Sequence, residues 1–413
     1  TDLRVLTIDN ENADERDDAI SVEVDLQNPD SKMLCEFRIG IHVAHAGALV
    51  PRGGFIDREA ESRMSSLYLP EGNIPMIPDS TVRCAGSLDP GESRAAMSFL
   101  VRVDSQGHVL EWRVSPSVIT SRAALTYGDA DDALRNSKGP WYHTLEPLKR
   151  ATDMLRARRE DAGAINIYPP EMDIKVERTG EVQVRLLKRS SPSRAMVSEL
   201  MILYNRLSAE FCTRERLPAV YRIQPAPDIS GIPEGFMNTL SVRESPYWMH
   251  LLYKRFHRAS LDTVPAPHAT LGVSSYVQVT SPLRRYPDLA MQRQIGHFLI
   301  TGESLYSVKV MDSIARRAQA QLKEMTRLEK RRKRYWFLKY LKQRKITPQE
   351  PHLEPGLFPA VVLENGLSQS ALLELVEFPF KVRAGVSLGY LPGDKVMLEL
   401  VDVDLWHRVG KFI

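Results

Sequence analysis

TIDNENADERDDAISVEVDL, residues 7–26, places six carboxylates within the ten positions from Asp9 to Asp18, with Arg16 the one cation among them. Around it, LRVLTID (3–9) and AISVEVDL (19–26) alternate apolar and polar residues, the period of half-buried strands. The acids therefore fall in a connection between two strands, with Asp9 ending the first. Like charges this close repel, so an ordered loop of this composition requires a cation or a cationic partner. An EF-hand is excluded, because the sixth position counted from Asp9 is Asp14, where that loop needs glycine. All-oxygen ligation by Asp9, Glu15, Asp17 and Asp18 would suit Mg²⁺ or Mn²⁺, ions that serve phosphoryl chemistry. Taken alone, the loop favours a solvated acidic turn, since charged side chains are normally exposed.

Working outward, FRIGIHVAHAGALV (37–50) continues the β pattern, and residues 51–80 are turn-rich. Residues 98–119 read as a hairpin around Ser105-Gln106-Gly107, and 172–187 as a second around Thr179-Gly180. Residues 144–162 are helical, and Met196, Val197, Leu200, Leu203, Tyr204, Leu207 and Phe211 form the apolar stripe of another helix. Two further helices are expected over 287–300 and 305–345. ITPQEPHLEPG (346–356), with three prolines, reads as a linker. Five or so short strands over 357–413 suit a small OB-like barrel. The fold expected is α+β: a large domain over 1–345, the linker, and the barrel over 357–413.

With 413 residues, 43% hydrophobic and 26% charged, the chain has the composition of a soluble globular protein, and its net charge of +3 hides local asymmetry. Cys35, Cys84 and Cys212 have no zinc spacing and suit a reducing compartment. No apolar run approaches the ~18 residues of a membrane span, and the N-terminus is not a signal peptide. A cytosolic or equivalent location is expected.

Three more constellations carry chemistry. YVQVTSPLRRYPD (276–288) places Thr280-Ser281-Pro282, which resembles a helix cap with proline at the first helical position, before Arg284 and Arg285. Free backbone N–H groups beside two arginines would suit a phosphate; surface ion pairing is the plain alternative. Pro287 is expected to kink or restart that helix. Residues 315–345 hold thirteen Lys and Arg against two Glu, with Tyr335, Trp336, Phe337 and Tyr340 interleaved. One face would pack through Leu322, Met325, Leu328, Trp336 and Leu338, and the charge excess suggests a polyanion. Finally, SSLYLPEGNIPM (65–76) holds Tyr68 between turn signals, placed either to stack on a base or to pack.

These pieces, in this order, resemble the catalytic (RNB) domain of the ribonuclease II / ribonuclease R family of 3′→5′ exoribonucleases. The resemblance rests on TIDNENADERDDAIS, IHVAHAGALVPRGGFIDREAESRMSSLYLPEGNIPM, SELMILYN, VYRIQPAP, YVQVTSPLRRYPDL and LEKRRKRYW, and covers roughly residues 5–340. It implies β-sheets packed with helices around an RNA channel, and an S1-type OB barrel for the tail. It further implies Mg²⁺-dependent, processive hydrolysis of single-stranded RNA to nucleoside 5′-monophosphates by a monomer. Asp9, Glu15, Asp17 and Asp18 match the family's metal-binding acids, Asp17 the one most sensitive to substitution. Arg284 matches the arginine on the scissile phosphate, with Arg285 beside it as an RNA contact. Tyr68 matches the tyrosine stacking on the 3′-terminal nucleotide, Tyr127 a second channel aromatic, and Glu199 and Glu329 acids that contact the last nucleotides. The chain departs from the pattern at Glu15, where the family usually has aspartate after a non-acidic residue rather than after Asp14. It also has Tyr-Val-Gln-Val before Thr-Ser-Pro, and Ile174 at the family's base-wedging phenylalanine. The family's N-terminal cold-shock barrels are expected to be absent. A catalytically impaired RNB-fold RNA-binding protein is the alternative that these departures keep open.

Overall fold

The computed structural model describes residues 3–11, 13, 15–25, 36–166, 170–187, 191–228, 230, 245–346, 356–366, 370–387 and 389–413. Asp14, Cys35 and residues 347–355 of the expected linker lie outside the described residues.

β1 (Leu6–Asp9), β2 (Asp18–Asp25) and β3 (Glu36–Ala44) lead into α1 (Ala46–Leu49) and α2 (Phe55–Arg63). The strand pattern expected over 37–50 thus ends at Ala44, and the turn-rich 51–80 segment holds a helix. It also holds a small ribbon, β4 (Leu67–Leu69) with β5 (Gly72–Ile74). β6 (Ser93–Val103), β7 (Val109–Thr120) and β8 (Ala123–Thr126) complete a six-stranded sheet in the order β7-β6-β3-β2-β1-β8. β1 lies antiparallel to β2 and parallel to β8. Asp9 at the end of β1, Asp18 at the start of β2 and the chain leaving β8 therefore share one end of the sheet.

The chain continues through α3 (Tyr127–Asn136), α4 (Tyr142–Asp161), the hairpin of β9 (Glu171–Val176) and β10 (Val182–Leu187), and α5 (Pro192–Arg214). Alternate residues of β3, namely Phe37, Ile39 and Ile41, are wholly buried and face the apolar stripes of α4 and α5, whose Leu148 and Leu200 are equally buried. Burying one such side chain contributes about 1.5–3 kcal/mol. Tyr204 of α5 meets Phe99 of β6 edge-on at 4.6 Å between ring centroids and donates its hydroxyl to the Met97 carbonyl at 3.1 Å. Tyr204→Phe removes that buried hydrogen bond, and denaturant titration should register a loss of about 0.5–1.5 kcal/mol.

β11 (Tyr221–Ile223) pairs with β12 (Ser260–Asp262), and α6 (Pro246–Arg255) lies between them in sequence. α7 (Tyr286–Thr301) and α8 (Val308–Ile346) follow. α7 matches the helix expected over 287–300, with Pro287 in its first turn, whereas the cap-like Thr280-Ser281-Pro282 leads into a turn and not a helix. The buried Asp288 carboxylate accepts from Ser281 N at 3.0 Å and Arg285 Nη2 at 2.6 Å, which holds residues 281–285 as a turn. α7 is anchored by a buried pair, Arg293 Nη1 to Asp57 of α2 at 2.6 Å, with Arg293 Nη2 on the Val50 carbonyl.

β13 (Leu357–Asn365), β14 (Ser370–Leu375), β15 (Lys381–Gly385), β16 (Lys395–Asp404) and β17 (Val409–Phe412) form a closed barrel in the order β13-β14-β15-β17-β16, the strand number of an OB-like fold. Its core takes in Phe337, Leu338 and Leu341 of α8, and Ile174 and Val182 of the β9–β10 hairpin. The stripe expected for α8 holds at Leu338, which is buried, and at Leu322, Met325 and Trp336, which are half-buried, but not at Leu328, which is 42% exposed. The barrel core also bears on Ile174. At 5% exposure within that core, this side chain has no face to offer a base.

Candidate active site

The acidic connection is ordered by its backbone. Arg16 N donates to Ser87 Oγ at 3.1 Å, Leu88 N to the Arg16 carbonyl at 3.1 Å, and Ala44 N to the Asp17 carbonyl at 2.8 Å. Arg16 Nη1 donates to Asp89 at 2.6 Å. These bonds dock Arg16 and Asp17 onto residues 87–89 and β3, which sets the Asp17 carboxylate at the sheet end.

Opposite them comes the turn at 281–285. Arg284 Nε donates to Asp17 Oδ2 at 3.1 Å, and Leu283 N to Asp17 Oδ1 at 3.3 Å. The N–H groups expected to await a phosphate are thus held by the carboxylates of Asp17 and Asp288. The Arg284 carbonyl accepts from Ser66 N and Ser65 Oγ, both at 3.0 Å, and Tyr286 N donates to the Met64 carbonyl. Those bonds splice the arginine turn to the strand carrying Tyr68, whose hydroxyl donates to Glu15 Oε1 at 2.6 Å. Four segments distant in sequence therefore meet: residues 9–18, 65–69, 126–127 and 281–285.

The charges are poorly balanced. Burial lifts the Asp9 carboxyl to about 6, against the pull of Arg16, and lifts Asp17 to about 7, against Arg284. Asp18 is raised well above the usual carboxylate range, first by burial and then by Asp9 and Asp17. Arg284 loses solvation, yet Asp17, Tyr68 and Glu15 outweigh that loss and hold it firmly protonated. The Tyr68 phenol is raised by burial and by Glu15, so it stays neutral and can donate. Asp9 Oδ2 is buried without a hydrogen-bond partner, and Arg16 Nε stands 3.8 Å from it.

That orphaned oxygen and the mutual repulsion of Asp9, Asp17 and Asp18 fit a hard divalent cation in donor chemistry. Their placement is looser than a formed cage. Among the described residues no three His, Cys, Asp or Glu side chains converge as metal ligands, with Glu15 turned to Tyr68 and Asp17 to Arg284.

Tyr127, first residue of α3, follows Thr126, the register partner of Asp9, and so reaches the same sheet end. The Arg194 guanidinium lies 4.0 Å over its ring and donates to Asn10 Oδ1 at 2.7 Å. Sequence reasoning missed Arg194, whose partner Asn10 is 184 residues away. The other expected contacts are not gathered here. Glu199 is 3% exposed and chelated by Arg159, Nε to Oε1 at 2.7 Å and Nη2 to Oε2 at 2.5 Å. Arg285 is tied to Asp288, and Glu329 sits half-buried on α8.

A mixed β-sheet and helix body with an acid–arginine cluster at one sheet end, joined to a closed C-terminal barrel, defines the class of protein. The RNB domain matches residues 1–301, and the chain belongs to the RNB family. A ribonuclease of Synechocystis sp., itself described as uncharacterized, is 33% identical over 411 residues, 98% of this chain and 58% of the relative. The chain spans about half the length of the curated relatives it matches. Among solved structures, RNase R of Mycoplasma genitalium in complex with ribose-methylated single-stranded RNA superimposes with a TM-score of 0.84 at 20% identity, over 100% of this chain and 71% of that one. Yeast Ssd1, described as a pseudonuclease, superimposes at 0.70 and 17% identity, over 96% of this chain and 50% of its own. The resemblance drawn from TIDNENADERDDAIS and TSPLRR is thereby borne out at the level of family, and the α+β fold with its terminal barrel at the level of structure. Among the described residues no helix is long and apolar enough to cross a membrane.

Proposed function

We propose that the chain is the catalytic portion of a hydrolytic 3′→5′ exoribonuclease. It acts on single-stranded RNA in the cytosol or an equivalent compartment, as a monomer, and releases nucleoside 5′-monophosphates processively. The observation that carries this reading is the meeting of Asp9, Asp17 and Asp18 with Arg284 and Tyr68 at one sheet end. Mg²⁺, or Mn²⁺ in its place, held by Asp9, Asp17 and Asp18 with Glu15 at the margin, would activate water and neutralise charge on the leaving oxygen.

The chain's own groups do the rest. Asp17 holds Arg284 by Nε, so the guanidinium presents a fixed positive charge where charge develops on the phosphate. Glu15 anchors the Tyr68 hydroxyl, which orients the ring to stack on the terminal base. Tyr127, under the Arg194 guanidinium, adds a second aromatic surface. Arg285, Glu199 and Glu329 are held to a supporting part, the first two through the ion pairs that fix the arginine turn and α5.

A 5′-labelled single-stranded RNA incubated with the full chain and Mg²⁺ should shorten one nucleotide at a time from its 3′ end, releasing mononucleotides. Immediate release of the labelled 5′ nucleotide would overturn the polarity. Tight binding without shortening would instead make the chain a binding protein of this fold, the reading that Glu15 in place of aspartate keeps in view.

A further inference from the structure

We infer that Glu71 is a positioning residue for Tyr68, acting by clamping the β4–β5 ribbon to α8; the inference rests on the exoribonuclease reading for its effect on turnover. The ribbon is a sheet of its own, with three residues in each strand. A two-stranded ribbon of this size is not stable alone. Gly72, Asn73 and Ile74 are all exposed, so burial holds β4 through Leu67 and does little for β5. Its base is fixed, since Met76 N donates to Ser66 Oγ at 2.8 Å and Ser66 N to the Arg284 carbonyl.

Glu71 joins the tip to α8 at two points. One carboxylate oxygen accepts from Arg332 Nε at 2.5 Å, and the other from the Trp336 indole N–H at 2.7 Å. Arg332 and Trp336 stand one turn apart on α8 and both face the ribbon. A two-point, charge-assisted contact of this kind fixes orientation as well as distance. Tyr68 lies between the two anchors, 38% exposed as a residue and with its hydroxyl on Glu15. Freeing the tip lets the ribbon pivot about its base and carries Tyr68 away from the acids. The same helix sends its next residue, Phe337, into the barrel core, so Glu71 also ties the tyrosine to the element that seats the barrel.

The test compares Glu71→Ala and Trp336→Phe, the latter keeping the aromatic ring but losing the indole donor, with the unmodified full chain. Amide hydrogen exchange over residues 67–74 should rise about tenfold in Glu71→Ala and less in Trp336→Phe, with exchange elsewhere and the melting temperature unchanged. Fluorescence quenching of a 2-aminopurine at the RNA 3′ end should weaken in parallel, and kcat should fall several-fold. In a Tyr68→Ala background Glu71→Ala should add nothing further. Unchanged exchange over 67–74, or a full additive loss on top of Tyr68→Ala, overturns the inference. An unmodified chain that quenches the probe but releases no nucleotide overturns the exoribonuclease reading instead, and leaves the clamp judged by exchange and quenching.

Discussion

Arg284→Ala lowers kcat on single-stranded RNA by about 10²–10³-fold, the loss typical of removing a preorganised donor from a developing oxyanion, while affinity for the RNA falls far less. The argument is geometric. Arg284 is held from behind, with its carbonyl on Ser65 and Ser66 and its Nε on Asp17. Its side chain is nevertheless 44% exposed, against 6% for Asp17. The guanidinium therefore has a buried edge that fixes its direction and an open edge for a phosphate. On the proposed reading the thirteen Lys and Arg of residues 315–345 would share the phosphates of a long RNA, so one charge would contribute little to affinity. Arg284→Lys separates charge from shape, because an ammonium keeps the charge and loses the planar fork. It should recover part of the lost rate. Single-turnover kinetics with Mg²⁺ would decide, and turnover within twofold of the unmodified chain for Arg284→Ala would remove the residue from the chemistry.

How far the site was legible follows from the range of each interaction. Strand period and acid density are local signals and placed Asp9, Asp17 and Asp18 at a strand connection, but alone they favoured a solvated turn; the structure brings the three close enough for Asp9 and Asp17 to act on Asp18. The pairing of Tyr68 with Glu15 spans 53 residues and that of Arg284 with Asp17 spans 267, and only the family resemblance brought those residues into one reading. The helix expected over 287–300 is α7, but the cap-like Thr280-Ser281-Pro282 begins no helix of its own, for a physical reason. Asp288 and Asp17 claim the N–H groups of Ser281 and Leu283, and the helix waits for Pro287. Glu199 and Ile174 show the same limit. A match by position says nothing of burial, which Arg159 imposes on one and the barrel core on the other. The barrel itself was legible, since β15 keeps a strict exposed–buried alternation and its neighbours nearly do.

Asp18→Asn raises the melting temperature of the metal-free protein at pH 7 by at least ~2 °C while abolishing turnover. Three acids crowd the sheet end, and the carboxyl of Asp18 is pushed up by burial and then by Asp9 and Asp17. An amide of the same shape removes one of the repelling charges without opening a cavity. The sign of the pH dependence follows from the same shifts. Asp9 at about 6 and Asp17 at about 7 hold protons in the folded state that an unfolded carboxyl, near 3.8, has released. Their contribution is thus present below pH 4 and is lost as pH rises toward 7. His42, lowered to about 4 by burial, runs the other way and costs stability as pH falls from 6.5 to 4. The unmodified chain shows the sum of the two, and the difference between it and Asp18→Asn isolates the carboxylates. That difference should widen from pH 5 to pH 7. Mg²⁺ should narrow it, because a cation that binds only the folded state stabilises by mass action and finds more to neutralise in the unmodified chain. If Asp18→Asn melts lower at pH 7, or Mg²⁺ raises both melting temperatures equally, the acids are not a strained cation site. Stability gained by removing an acid and activity lost by the same change would together locate the cost that this sheet end bears for holding charge where a phosphate is to be cut.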